Sequence, residues 1–239
     1  SFVVTCTNYN RRYLLAQWPA ILRDKLHLVY HGIEVDRYAA NPREGGEVPT
    51  LLAVGRLVPK KGLCYLVQAV GLLRRRGREV TLLVVGDGPE RQRLERLAVE
   101  EGVADRVRFL GELPHEAVIP LYARGDILAL PCVIDSSGDR DGIPNVLLEA
   151  LASGMAVVST PVSGIPEVVE EGRTGLLVPP ADPAALADAI EALAADPALR
   201  RQLGEAGRDR VVQRFDIRRS PMAELFQRLA GVPAGKERR

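Results

Sequence analysis

Metal and disulfide chemistry have little to work with in this sequence. Its three cysteines, Cys6, Cys64 and Cys132, are odd in number and form no C-x-x-C pair, which argues against a disulfide framework or a zinc site. Each lies in or after an apolar stretch, so three buried free thiols are expected, as suits a reducing, cytoplasmic compartment. The three histidines, His27, His31 and His115, lack metal-ligand spacing. No apolar run approaches the ~20 residues that span a bilayer. Net charge is nearly absent: 32 Lys and Arg against 31 Asp and Glu leave +1, which argues against a protein that coats nucleic acid. There is no internal repeat and no low-complexity tract. With 46% apolar and 26% charged residues, disorder, collagen and coiled coil are excluded as the main state.

What is present is an alternation. The 239 residues allow one large domain or two small ones. From Pro49 onward, short apolar runs read as buried strands at 50–54, 80–85, 107–110, 127–130, 156–159 and 175–178. Between them lie stretches of helical spacing, clearest at 63–75, 89–101, 116–123 and 144–153. Continuous apolar strands alternating with helices predict an α/β fold: a doubly wound parallel sheet of about six strands flanked by helices. Asp182-Pro183 and Asp196-Pro197 each set a capping acid before a proline at the first helical position. They predict two consecutive helices within 181–215. A last helix is expected at about 218–229.

The first 48 residues read differently. A strand end at Val3-Val4-Thr5, a helix at 11–18 and a strand at 26–30 lead to a Pro- and Gly-containing linker at 41–46. Two strands and a helix are too little for an independent core. The chain also opens on Ser1 and an apolar run, like the middle of a protein. The expected organisation is 1–45 as the remnant of a preceding domain with its linker, 46–217 as the main domain, and 218–239 as a crossover helix and tail. The basic clusters Arg74-Arg75-Arg76 and Lys236-Glu237-Arg238-Arg239 read as solvated surface, with weak contact to an anionic membrane as the alternative.

Ligands of an open parallel sheet bind beyond the carboxyl ends of its strands. After the strand at 50–54 comes Gly55-Arg56-Leu57-Val58-Pro59-Lys60-Lys61-Gly62. Glycines, cations and a helix start suit a pyrophosphate; a basic surface loop is the alternative. After 80–85 comes Gly86-Asp87-Gly88-Pro89, which is a nucleotide loop or simply a turn. The most informative segment joins Asp141-Gly142-Ile143-Pro144-Asn145 to Glu149, one turn inside a helix. Both acids can accept hydrogen bonds from sugar hydroxyls. The amides of Asn145, Val146 and Leu147 are expected to be unpaired at the helix start and open to an anion. The structural alternative makes Asp141 part of a cap and leaves Glu149 exposed.

These residues carry a resemblance. The chain resembles the carboxyl-terminal domain of the glycogen-synthase-like family of retaining glycosyltransferases, whose GT-B fold pairs two Rossmann-like halves. That family has two acids separated by seven residues, here Asp141 and Glu149, with Asp141 where many members have glutamate. Further matches are Val54-Gly55-Arg56 with Lys61-Gly62, Val85-Gly86-Asp87-Gly88-Pro89, Gly111-Glu112-Leu113, Gly164-Ile165-Pro166-Glu167, and Thr174-Gly175-Leu176-Leu177-Val178 with Asp182. The segment Val29-Tyr30-His31-Gly32-Ile33-Glu34-Val35-Asp36 matches the family's crossing into this domain, with His31 where asparagine is frequent. The resemblance covers nearly all of the chain.

It implies a hexosyltransferase of carbohydrate biosynthesis, here as its donor-binding half. Arg56 and Lys61 would bind the diphosphate of a nucleotide-sugar. Glu149 would hold the ribose. Asp141, with the backbone of Gly142, Ile143, Pro144 and Asn145, would face the donor sugar. Gly86 and Gly88 would line the nucleotide cleft, and residues 111–113 would border the base. Arg56, Lys61 and Asp141 form the implied catalytic set. No D-x-D type metal motif is read at a strand end, and fixed cations would replace a metal, so metal-independent transfer without a cofactor is expected. The acceptor, a sugar or a lipid-linked sugar, would sit on the preceding domain. The fragment is therefore expected to be inactive alone. Its expected location is cytoplasmic, with peripheral contact at the inner membrane face as the alternative. A non-catalytic nucleotide-sugar binding module is the competing function. A nicotinamide oxidoreductase is disfavoured, because the first strand leads into Gly-Arg and not G-x-G-x-x-G. A sugar-nucleotide epimerase is a further alternative.

Overall fold

The computed structural model describes residues 2–38, 48–219 and Leu225. Its main body is a six-stranded, all-parallel sheet with the order β5-β4-β3-β6-β7-β8. The strands are β3 (Thr50–Val54), β4 (Thr81–Val85), β5 (Val107–Gly111), β6 (Ile127–Leu130), β7 (Ala156–Ser159) and β8 (Leu176–Leu177). The interior strands β6 and β7 are buried at every position, which is why they read as unbroken apolar runs and not as alternating ones.

Alternate residues of each strand feed opposite faces. Leu51, Ala53, Ile127, Ala129, Ala156 and Val158 pack beneath α3 (Leu63–Arg75), α4 (Arg91–Glu100) and α7 (Pro183–Ala195). Leu52, Leu128, Leu130 and Val157 pack on the other face, against α5 (His115–Arg124), α6 (Asn145–Ala152) and α8 (Pro197–Arg214). The doubly wound α/β expectation is thus met. The helix ends follow their capping residues. Asp182 Oδ1 accepts from the amides of Ala184 and Ala185 at 3.0 and 2.9 Å, and Asp196 does the same for Ala198 and Leu199 at 2.9 Å. Asp182→Ala is expected to destabilise the protein by about 1 kcal/mol and to lower its melting temperature by ~2–4 °C. An unchanged melting curve would deny this cap any energetic weight.

Residues 2–38 form a smaller unit. The parallel pair β1 (Val3–Thr5) and β2 (Leu26–Leu28) flanks α1 (Asn8–Gln17) and the short α2 (Pro19–Leu22). Helix α1 begins three residues before the expected position 11, because Thr7 Oγ1 accepts from the Asn10 amide at 2.9 Å and starts it early. The main domain completes this cap. Glu167 accepts from the amides of Asn8 and Tyr9 at 2.8 and 2.9 Å and from the Tyr30 hydroxyl at 2.7 Å. A carboxylate facing a helix N-terminus is favourably placed. Burial first, then the Glu167 hydrogen bond, raises the Tyr30 pKa.

Three expectations need adjustment. All three cysteines are free, but only Cys132 is buried. Cys6 lies just before the α1 cap, and Cys64, in the first turn of α3, is half-buried against the edge of the core. The last strand, expected over 175–178, shortens to Leu176–Leu177 at the sheet edge. Arg74, Arg75 and Arg76 are on the surface, but each faces an acid: Asp105 at 2.5 Å, Glu101 at 2.8 Å and Asp188 at 2.7 Å. The linker at 41–46 and the terminal basic cluster lie outside the described residues, as does the helix expected at 218–229 apart from Arg218, Arg219 and Leu225. Leu225 is helical and buried. Among the described residues no helix is long and apolar enough to cross a membrane.

Candidate functional site

Counted from β3, the sheet order reverses between β3 and β6. The carboxyl ends of these two strands therefore open the crevice where ligands of such sheets bind. Backbone bonds stitch the loops at this edge together. Gly55 N donates to Val85 O at 2.9 Å, Leu57 N to Asp87 O at 2.9 Å, and Gly86 N to Gly111 O at 2.7 Å. The approach is too close for side chains: a Cβ on Gly86 would stand 2.1 Å from the Gly55 carbonyl oxygen, and one on Gly88 2.5 Å from that of Leu57. Gly86 and Gly88 are thus explained by backbone against backbone.

The loop after β3 then meets the loop after β6. Val133 N donates to Lys60 O at 2.9 Å. Above this contact Lys61 Nζ stands 2.8 Å from Asp141 Oδ2, with the two side chains only 13% and 17% exposed. The lysine stem crosses Gly55, whose Cβ would lie 3.5 Å from Lys61 Cε. Lys60 lies 3.0 Å from Asp139 and 3.6 Å from Asp141. Its pKa is raised, chiefly by the Asp139 hydrogen bond. Cys132 Sγ donates to Asp141 Oδ2 at 3.7 Å. Burial, the largest cause, pushes this thiol up to about 12 although Lys61 pulls the other way, so it is a neutral donor. Arg56 is exposed on the same loop and has no ion-pair partner among the described residues. The structure therefore brings Lys61 and Asp141 together and leaves Arg56 at the mouth.

Against the expectation of no such motif at a strand end, Asp139-Arg140-Asp141 on the loop after β6 is a D-x-D triplet. Its carboxylates face Lys60 and Lys61, which supply the positive charge there. Among the described residues no group of three or more His, Cys, Asp or Glu is arranged to hold a metal ion.

Helix α6 starts with Pro144 in the capping position. The expectation of three open amides is corrected: Leu147 N donates to the Pro144 carbonyl at 3.0 Å. The first turn closes with this i to i−3 bond, which leaves Asn145 and Val146. The chain before the helix is braced from behind. Gly164 N donates to Gly142 O at 3.1 Å, and Thr7 of the smaller unit packs on both glycines. A Cβ on Gly164 would stand 2.8 Å from the Thr7 methyl. His31 lies beside Asn145, and its pKa is lowered by burial, which outweighs the opposite effect of Asn145.

Glu149 is neither exposed nor free. It is buried at 9% exposure, and its Oε2 accepts from the Tyr122 hydroxyl at 2.6 Å. His115 Nε2 stands 3.6 Å from its Oε1 and 2.9 Å from the Tyr38 hydroxyl. Burial, followed by the charge of Glu149, raises both phenols above the ordinary tyrosine value. Tyr38, His115, Tyr122 and Lys60 were not among the residues expected. His115 and Tyr122 carried a usable signal, since residues seven apart share a helix face. A separate hollow of about 580 Å³ beside Cys64, Tyr65 and Arg93 is lined by none of Lys61, Asp141 and Glu149.

Lys60, Lys61 and Asp141 thus meet where the loops after β3 and β6 touch, with Arg56 exposed on the first of these loops and Glu149 buried one turn into α6. Such a set can bind a dianion flanked by hydroxyl-rich groups. A family profile described as "Glycosyl transferases group 1" matches residues 48–196. The chain is 36% identical over 207 residues to a "GDP-mannose-dependent alpha-(1-6)-phosphatidylinositol monomannoside mannosyltransferase" of Mycolicibacterium smegmatis, covering 82% of this chain and 54% of that protein. Its structure resembles sucrose-phosphate synthase from Thermosynechococcus elongatus with a TM-score of 0.80 and 29% identity, over 96% of this chain and 58% of the other. It also shares its fold with Anabaena HepE, solved in complex with UDP and glucose, with a TM-score of 0.79 and 22% identity, over 97% of this chain and 62% of the other. The chain thus spans between half and two thirds of these proteins.

Proposed function

The chain belongs to the group 1 glycosyl transferases, and from that premise we propose that it is the donor-binding half of a retaining transferase that uses a nucleoside diphosphate sugar. The observation that carries this reading is the Lys61–Asp141 pair at the sheet's reversal point, with Glu149 buried one turn into the adjoining helix. Arg56 and Lys61 take the diphosphate. Glu149 takes the ribose hydroxyls. Asp141 and the backbone from Gly142 through Ile143 and Pro144 to Asn145 face the sugar. Gly86 and Gly88 line the nucleotide cleft, and the turn at Gly111 borders the base.

The charges suit the reaction. Breaking the bond from the anomeric carbon to phosphate leaves an oxocarbenium-like sugar and a more negative diphosphate. Arg56 and Lys61 stabilise that growing negative charge without a metal, and the effect is largest where charge develops. Asp141 lies against Lys61. An incoming diphosphate competes for the lysine and releases the carboxylate toward the sugar. The relative's GDP-mannose and the UDP in HepE make both nucleotides worth testing. The acceptor, a sugar or lipid-linked sugar, is held by a preceding domain on the cytoplasmic side, with peripheral membrane contact. The 239 residues bind donor and do not transfer sugar alone.

Thermal-shift titration with UDP-, GDP- and ADP-sugars tests this. A ligand at 100 times its Kd stabilises the fold by about 2.7 kcal/mol, which is a shift of several degrees. Glu149→Ala is expected to weaken nucleotide binding roughly 10- to 150-fold, the worth of a charge-assisted hydrogen bond. No shift with any sugar nucleotide would sink the donor-site reading, and unchanged affinity of the variant by calorimetry would remove Glu149 from it.

A further inference from the structure

The buried acids of this protein are not alike. Among the described residues Asp126, Glu149 and Asp216 are buried. Asp126 accepts from the Thr50 amide at 2.8 Å and lies 3.8 Å from Arg200, and Asp216 pairs with Arg218 at 2.7 Å. Among the described residues no lysine or arginine forms an ion pair with Glu149. An unpaired carboxylate buried in this way is costly unless hydrogen bonds replace water. Here the replacement is the Tyr122 phenol from α5, with Tyr38, which follows the 3-10 turn Val35–Arg37 and bonds to His115, beside it and His115 at the rim.

The two carboxylate oxygens are treated unequally. Oε2 is fixed by the Tyr122 hydroxyl at 2.6 Å, a short bond typical of O–H to carboxylate. Oε1 has His115 Nε2 at 3.6 Å, beyond hydrogen-bond distance. The two partners also differ in exposure. Tyr122 is fully buried, whereas the His115 side chain is 46% exposed. Oε2 is thus anchored by a buried donor, and Oε1 lies on the side of the half-exposed His115. We propose that Tyr122 is a positioning residue: its hydroxyl holds the Glu149 carboxylate so that Oε1 accepts the ribose hydroxyls, and discrimination between a ribonucleotide and its 2′-deoxy counterpart runs through Tyr122. The inference rests on the ribose role given to Glu149 above.

The physics supports a fixed donor. Burial and the neighbouring charge of Glu149 keep the phenol protonated, so it donates at every working pH. A carboxylate free to rotate would meet the diol in several orientations, and only one of them accepts both hydroxyls. Anchoring one oxygen removes that freedom before the ligand arrives. A site built to accept a hydroxyl also rejects the analogue that lacks it, because its own acceptor is then left unpaired.

The test measures affinities of UDP and GDP, and of their 2′-deoxy forms, for the whole chain and three variants: Tyr122→Phe, Glu149→Gln and the double substitution. Phenylalanine keeps the ring in its buried place and removes only the hydroxyl. Tyr122→Phe is expected to reduce the ribo-over-deoxy preference at least ~5-fold and to leave inorganic pyrophosphate affinity unchanged. The double variant is expected to show the same preference as Glu149→Gln alone, since Tyr122 acts through that carboxylate. If Tyr122→Phe keeps the wild-type preference while Glu149→Gln loses it, the positioning role is overturned and the ribose site stands. If Glu149→Gln keeps it too, the ribose site itself falls and the inference with it. A preference in the double variant well below that of Glu149→Gln would give Tyr122 a separate effect and would also overturn the proposal.

Discussion

Lys61→Ala in the full-length enzyme is expected to lower kcat about 10- to 150-fold, from the loss of one charge-assisted hydrogen bond of ~1.5–3 kcal/mol in the transition state. The neighbouring Lys60→Ala is expected to lose no more than about 5-fold, because an exposed pair is worth ~0–1 kcal/mol. The two lysines are adjacent in sequence, so composition cannot separate them; their surroundings do. Lys61 is 13% exposed, lies across Gly55 and reaches Asp141 at 2.8 Å. Lys60 is nearer the surface and reaches Asp139, which is 57% exposed. A sheltered cation acts through less water and stabilises developing charge more strongly. The loss in Lys61→Ala should fall mainly on kcat, since the diphosphate's charge grows as the bond breaks. Turnover at the wild-type rate would remove Lys61 from the chemistry. Equal losses in the two variants would mean that only net charge at the mouth matters.

The sequence announced this lysine without announcing its partner, and the reason is physical. Strand periodicity and glycine punctuation are local, and they located β3, β6, β7 and α3 to the residue: 50–54, 127–130, 156–159 and 63–75. The capping pairs Asp182-Pro183 and Asp196-Pro197 are local as well, and both helices start where they indicate. What local pattern cannot encode is which loop ends face each other. The strand order, with β3 beside β6, brings Lys61 to Asp141 across eighty residues of chain. It likewise brings Tyr122 and Tyr38 to Glu149. The expected reach of Glu149 to an open edge came from its helical position alone, and the burial of its carboxylate required knowing that α5 packs alongside. Glu167 is a similar case. Its motif was visible, but its contact with the Asn8 and Tyr9 amides depends on a unit 158 residues away. The early start of α1 was more accessible, since Thr7 and Asn10 stand at capping distance in the sequence itself.

Gly62→Ala is the substitution expected to damage the fold most, and it separates two effects that glycine usually confounds. Gly62 has a φ of +66°, and a Cβ there would stand 1.9 Å from the Pro131 carbonyl oxygen. Gly77 has nearly the same conformation, φ of +71°, with nothing within 4 Å. The left-handed backbone alone costs an L-residue roughly 1–2 kcal/mol, so Gly77→Ala should lose about that much. Gly62→Ala adds a backbone clash that cannot be relieved by turning a side chain, and forced overpacking costs a further ~1–3 kcal/mol. The total of about 2–5 kcal/mol corresponds to a melting temperature lower by roughly 4–20 °C in a protein of this size. The consequence extends to the site. Gly62 immediately follows Lys61, and Pro131 opens the loop that carries Asp141. To make room, the ends of β3 and β6 must part, and the 2.8 Å pair between the two side chains must stretch with them. Variants that still fold should therefore bind nucleotide more weakly in Gly62→Ala and normally in Gly77→Ala. Chemical denaturation of both would decide it: equal losses of stability would show that the contact with Pro131 relaxes freely, and that the junction beneath the lysine is softer than its geometry indicates.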